Sequence, residues 1–116
     1  MIIAVDFDGT LCEYKFPSIG EANMPLITAL RLAQLQGHKL ILWTCRKEVY
    51  LAEATKWLAE NHGLYFDAVN EDLPEIKDSE FGRGKSHKVF ADIYLDDRNI
   101  GIKDFVILLS KLGGKS

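Results

Sequence analysis

The sequence predicts an α/β domain built on a parallel sheet. Short apolar runs at 2–5, 40–43, 64–69 and 89–95 have the length and bounding turn residues of buried strands, and helical apolar stripes lie between the first three. Strands alternating with helices imply a parallel sheet joined by right-handed crossovers. In such sheets the ligand site lies past the carboxyl ends of the strands, where strand order reverses. Asp6, Asp8, Thr44, Asp96 and Asp97 all fall just past strands one, two and four. The simplest order that gathers them is 4-1-2-3, with strand one central.

Each element has its own warrant. Ile2–Val5 is the first strand. Residues 12–23 lack a clean period and carry Pro17 and Gly20, which suits a loop or small hairpin flap. Asn23 can cap a helix whose first turn holds Pro25; Leu26, Ile27, Leu30 and Ala33 share its inner face, and Gly37 ends it. Leu40–Trp43 forms the second strand. Tyr50, Leu51, Ala54, Trp57 and Leu58 make an amphipathic stripe closed by Gly63. Leu64–Val69 reads as strand three and Asn70–Ser86 as an irregular loop or short helix. Val89–Leu95 reads as strand four. The segment 104–112 fits a closing helix or a fifth, edge strand.

The 116 residues suit a single domain, 1–116, with one core. A net charge of −3 gives no reason to expect a nucleic-acid or membrane partner. No apolar stretch approaches the ~18 residues of a membrane span, and the start lacks a charged signal-peptide region. Cys12 and Cys45 make a poor disulfide framework. The expected setting is cytoplasmic.

The stretch Val5-Asp6-Phe7-Asp8-Gly9-Thr10-Leu11 organises the rest. Side chains alternate along a strand, so Asp6 and Asp8 point to one side and Phe7 to the other. Two adjacent carboxylates at the end of a buried strand repel one another, so a positive charge must sit between them. A hard divalent cation with oxygen ligands, Mg2+, meets that need.

Asp6-Phe7-Asp8-Gly9-Thr10-Leu11 resembles the first signature of the haloacid-dehalogenase-like (HAD) superfamily, whose phosphatases use an aspartate nucleophile. The resemblance implies a three-layer Rossmann-like fold and assigns roles. Asp6 would attack phosphorus and form an aspartyl-phosphate. Asp8 would protonate the leaving alkoxide and then activate water. A departing halide needs no such proton, so Asp8 disfavours dehalogenation. Thr44 stands where the family places a hydroxyl on a phosphate oxygen. Asp96 and Asp97 resemble the last acidic motif, which with Asp6 and Asp8 would hold Mg2+. The family lysine is assigned to Lys88, with Lys85 as the alternative; both lie closer to the acidic pair than in many members. Gly9, Cys45, Arg46 and Arg98 are candidate substrate contacts, the arginines through bidentate bonds to a carboxylate or second phosphate, with a surface or ion-pair role as the alternative for each.

Competing signals fail. A cysteine phosphatase built on Cys45 needs an arginine at the position of Leu51, a P-loop ending at Lys85-Ser86 needs a glycine at Ser79, and an EF-hand needs one at Leu11. His38, His62 and His87 show no metal spacing. Asp92, read as mid-strand, is ~13 Å along the chain from Asp96 and is assigned a structural role. The connections 12–23 and 70–87 fall far below the ~40 residues of an independent lobe, so no cap domain is expected. The expected partner is a small phosphorylated substrate, with a homo-oligomer helping to shape the open site. A receiver-type phosphoacceptor module and a silent scaffold of the same fold are the alternatives.

Overall fold

The computed structural model describes residues 1–74 and 89–96. In chain order these form β1 (Ile2–Val5), α1 (Met24–Leu35), β2 (Lys39–Leu42), α2 (Glu48–His62), β3 (Ala68–Val69) and β4 (Ile93–Leu95). The four strands make one sheet in the order β3-β2-β1-β4, which is 4-1-2-3 counted from the opposite edge. Every pairing is parallel, with Val5 opposite both Leu42 and Leu95. The protein is therefore an α/β domain. The segment 104–112, the tail, and residues 75–87 of the expected 70–87 connection lie outside the described residues.

Alternation in the strands produces two apolar layers. Ile3, Val5, Leu40 and Leu42 join Leu26, Ile27, Leu30 and Ala33 of α1 and Ala54 and Leu58 of α2 in the main cluster. Ala4 and Ile41 face the other way, against Leu73 and Val89. Both helices serve the same cluster because β1, β2 and β3 advance in one direction, and right-handed crossovers then fall on one face. Moving on to β4 means crossing back past β1. The reversal lies between β1 and β4, where a parallel sheet opens its crevice.

The α1 helix starts as its sequence indicates. Asn23 Oδ1 accepts the Leu26 amide at 3.4 Å, Pro25 sits in the first turn, and Gly37 follows at φ 95°. Gly63 closes α2 at φ 61°. The α2 stripe is shallower than expected: Ala54 and Leu58 are buried, Leu51 and Trp57 only pack against the cluster, and Tyr50 is exposed against Phe16.

Strands three and four are shorter than the apolar runs that mark them. Leu64 is buried but unpaired, and β3 begins only at Ala68. Asp67 exchanges hydrogen bonds with Leu40, its amide donating to the carbonyl and its carboxylate accepting the amide, each at 2.8 Å. Asp92 does the same for Ile2 at 2.8 and 2.7 Å. Asp92 thus lies just before β4 rather than within a strand, and its role is structural. These carboxylates satisfy strand-entry amides that would otherwise lack partners.

Candidate active site at the strand ends

The β1 strand ends at Val5, and the chain then turns. The Thr10 and Leu11 amides both donate to the Phe7 carbonyl, at 3.2 and 2.9 Å, and Gly9 sits at φ 83°, where only glycine is unstrained. Asp6 Oδ1 accepts the Phe7 amide at 2.8 Å. Strand alternation therefore does not extend through Asp8. Phe7 is fully buried and meets Trp57 edge-to-face, with ring centroids 5.9 Å apart.

Asp6 and Asp96 are brought together by register. Each follows a residue of the Val5–Leu95 pair, and the Asp6 amide donates to the Leu95 carbonyl at 3.0 Å. Both are half-buried, at the crevice between β1 and β4. Thr44 lies past the other neighbour of β1. Its amide donates to Asn70 Oδ1 at 2.7 Å, and its hydroxyl accepts the Arg46 amide at 3.1 Å, leaving the hydroxyl proton to donate elsewhere. Asn70 holds this turn from a left-handed conformation, φ 54°, which asparagine tolerates better than most residues.

Two expectations need correcting. Arg46, a candidate substrate contact or ion-pair partner, takes the second role: it is 2% exposed and turned inward. Its Nε and Nη2 form a bidentate pair with Asp8 at 2.9 and 2.8 Å, while Nη1 and Nη2 reach the Pro17 and Ser18 carbonyls at 3.2 and 2.8 Å. The guanidinium also lies over the Phe7 and Phe16 rings, 4.9 and 5.0 Å from their centroids. Bonding to Asp8 holds Arg46 even more firmly charged than an ordinary arginine. The Asp8 carboxylate, expected beside Asp6 at a shared cation, is therefore committed to Arg46. A buried carboxylate does require a positive partner, but at Asp8 the chain supplies its own.

The flap is a narrow hairpin. The Glu13 amide donates to the Glu21 carbonyl at 2.9 Å and the Asn23 amide to the Leu11 carbonyl at 2.8 Å. A Cβ on Gly20 would lie 2.3 Å from the Glu13 carbonyl oxygen, so the two sides approach too closely for any other residue. Cys12, at the flap root, is buried, and burial pushes its thiol pKa up. Cys45 is exposed just past β2. The Thr10 hydroxyl is buried with no hydrogen-bond partner.

The oxygen donors of Asp6 and Asp96 suit a hard cation, which takes one or two carboxylates and completes its shell with water and substrate oxygens. Among the described residues no group of three or more histidine, cysteine, aspartate or glutamate side chains is placed to hold a metal ion. Asp97, Arg98, Lys85 and Lys88 lie outside the described residues. Sequence reasoning missed Asn70, whose only signal is an asparagine directly after strand three. It also missed the inward course of Arg46, which the pairing of one buried acid with a cation two residues past Thr44 could have suggested.

No family model matches the chain, and no curated protein does. A solved structure described as a conserved protein coded by a locus from Bacteroides thetaiotaomicron is similar over 100% of this chain and 92% of its own, with 41% identity and a TM-score of 0.78.

Proposed function

We propose that this chain, which belongs to the same family as the conserved Bacteroides thetaiotaomicron protein, is a Mg2+-dependent phosphomonoester hydrolase of the HAD-like, Rossmann-like type. One observation carries the reading: Asp6 and Asp96 stand side by side past β1 and β4, at the point where strand order reverses, with Thr44 past β2.

In this reading Asp6 and Asp96 hold the cation, assisted by Asp97. Held there, Mg2+ would supply the positive charge that offsets the phosphoryl oxygens. A carboxylate oxygen of Asp6 attacks phosphorus, giving an aspartyl-phosphate as the ester oxygen leaves. The Thr44 hydroxyl donates to a non-bridging phosphate oxygen. Asp8 delivers a proton to the leaving oxygen and later takes one from the attacking water. Bidentate pairing with Arg46 leaves each Asp8 oxygen a second lone pair for this purpose. Its side chain, paired with Arg46, is not assigned to the metal. Lys88, or Lys85, supplies the remaining positive charge. The substrate is a small phosphorylated molecule, the setting cytoplasmic, and a homo-oligomer would help enclose the site. Among the described residues no helix is long and apolar enough to cross a membrane.

The test is phosphate release from an aryl phosphate with Mg2+. Asp6→Asn should lower it by about 10³-fold or more, the scale of losing a nucleophile. Undiminished turnover in that variant refutes the assignment.

The Arg46–Asp8 pair favours a second reading, a receiver-type phosphoacceptor, which needs no second carboxylate for proton transfer. Stable phosphorylation of the chain by a small phosphodonor, with no turnover of esters, would select it.

A further inference from the structure

Arg46 touches three things at once. Its fork grips both oxygens of Asp8, its remaining N–H groups reach the carbonyls of Pro17 and Ser18 in the flap, and its face lies against Phe16. Nothing else described links the Asp8 carboxylate to the flap. A guanidinium is rigid and planar, so its donors move together. If the flap carbonyls shift, the plane of the fork shifts, and the Asp8 carboxylate turns with it.

The flap is tied at its root and weakly along its length. Two cross-flap hydrogen bonds, Glu13 to Glu21 and Asn23 to Leu11, close the base, whereas Tyr14 and Lys15 are exposed. Nearer the tip the flap is held by Arg46, by Ile19, which packs against the main core, and by the exposed Phe16, which meets Tyr50 at 5.2 Å between ring centroids. The side chain that grips Asp8 is thus also one of those that seat the flap.

We infer that Arg46 is a positioning residue that fastens the 12–22 flap to Asp8, so that the proton-transferring carboxylate is correctly aimed only while the flap is seated. The fastening stands on geometry alone; its consequence for proton transfer rests on the phosphatase reading above. Substrate specificity follows from the same link. A leaving group that presses the flap out of place would misalign Asp8 at once, while one that fits beneath it would leave the fork intact.

Two variants test the link without removing the buried arginine. In the metal-free full chain, hydrogen exchange is followed at the Glu13 and Asn23 amides and at the Val5 and Leu42 amides of the sheet. Asp8→Asn should speed exchange at the two flap amides by about tenfold, the worth of one charge-assisted hydrogen bond, and leave the sheet amides unchanged. No change at the flap overturns the fastening; so does equal acceleration at flap and sheet, because Arg46 would then hold the whole fold. Phe16→Ala should likewise loosen the flap and, with Mg2+ and an aryl phosphate, lower kcat by about tenfold with KM unchanged. Added to Asp8→Asn it should lower kcat no further. Losses that multiply, or a change confined to KM, overturn the positioning role. A parent protein without turnover defeats the phosphatase reading and with it the proton-transfer role, while the exchange measurement still decides the fastening.

Discussion

Asp6 and Asp96 occupy equivalent places on neighbouring parallel strands, one residue past the paired Val5 and Leu95, with the Asp6 amide bonded to the Leu95 carbonyl at 3.0 Å. Two acids fixed this way by backbone register cannot move apart without breaking the sheet between them. They therefore hold fixed places at the crevice and do not meet by chance at the surface. In the proposed chemistry that crevice is where the cation binds.

Neutralising one member should weaken the cation site more than the fold. Asp96→Asn is expected to reduce Mg2+ affinity by about tenfold or more, with thermal stability in metal-free buffer changed little. Calorimetric titration with Mg2+ reads the first effect and a metal-free melt the second. Removal of the cation by a chelator should abolish phosphate release by the parent protein.

Asn70 does two jobs that substitution can separate. Asn70→Ala loses the acceptor for the Thr44 amide and places a Cβ residue in the left-handed region, for a combined cost of about 2–4 kcal/mol. Asn70→Gly removes the strain but not the lost bond, so it should recover about 1–2 kcal/mol of that loss. Denaturant unfolding of the three proteins checks the order. Both variants should lower kcat, because Thr44 loses the bond that fixes its turn.

The buried Thr10 hydroxyl, without a hydrogen-bond partner, is expected to be a burden. Thr10→Val keeps the shape and removes the unsatisfied group, so it should leave stability unchanged or raise it by about 1 kcal/mol. A loss beyond about 1 kcal/mol in denaturant unfolding would mean that the hydroxyl is satisfied in solution.

His38 gives the fold a pH dependence. Burial, and then the nearby Met1 ammonium, lower its pKa below the ordinary histidine value of 6.5, so the unfolded chain takes up the proton more readily. This contribution is intact above pH 6.5 and is lost as pH falls from there through the depressed folded value. Urea midpoints at neutral pH and on the acid side of that range should differ less in His38→Gln than in the parent.

Much of the fold was legible because local chemistry and tertiary need agreed. Asn23, Pro25 and Gly37 mark α1 by backbone rules that hold in any context, and the β1 and β2 runs are too apolar to lie anywhere but inside. The β3 and β4 runs were overread. Leu64 and Val89 are buried by packing without strand pairing, and apolarity alone does not distinguish the two. At the site, the places of Asp6, Thr44 and Asp96 followed from topology, since strand ends in a parallel sheet meet along one edge. Asp8 could not be placed in that way, because the chain turns at Phe7 and strand alternation stops there. Arg46 was legible as a cation near the site but not as the partner of Asp8. Choosing between substrate and carboxylate requires the course of the flap, which no periodicity encodes.

The central claim is that Asp6 becomes phosphorylated during turnover. Acid-quenching the protein during reaction with an aryl phosphate and Mg2+, then locating the phosphoryl group by peptide mass spectrometry, tests it most directly. The account predicts a labile phosphoryl group on Asp6 that vanishes in Asp6→Asn together with turnover. Sustained phosphate release with Asp6 unmodified at every quench time, and equal release by Asp6→Asn, would contradict it.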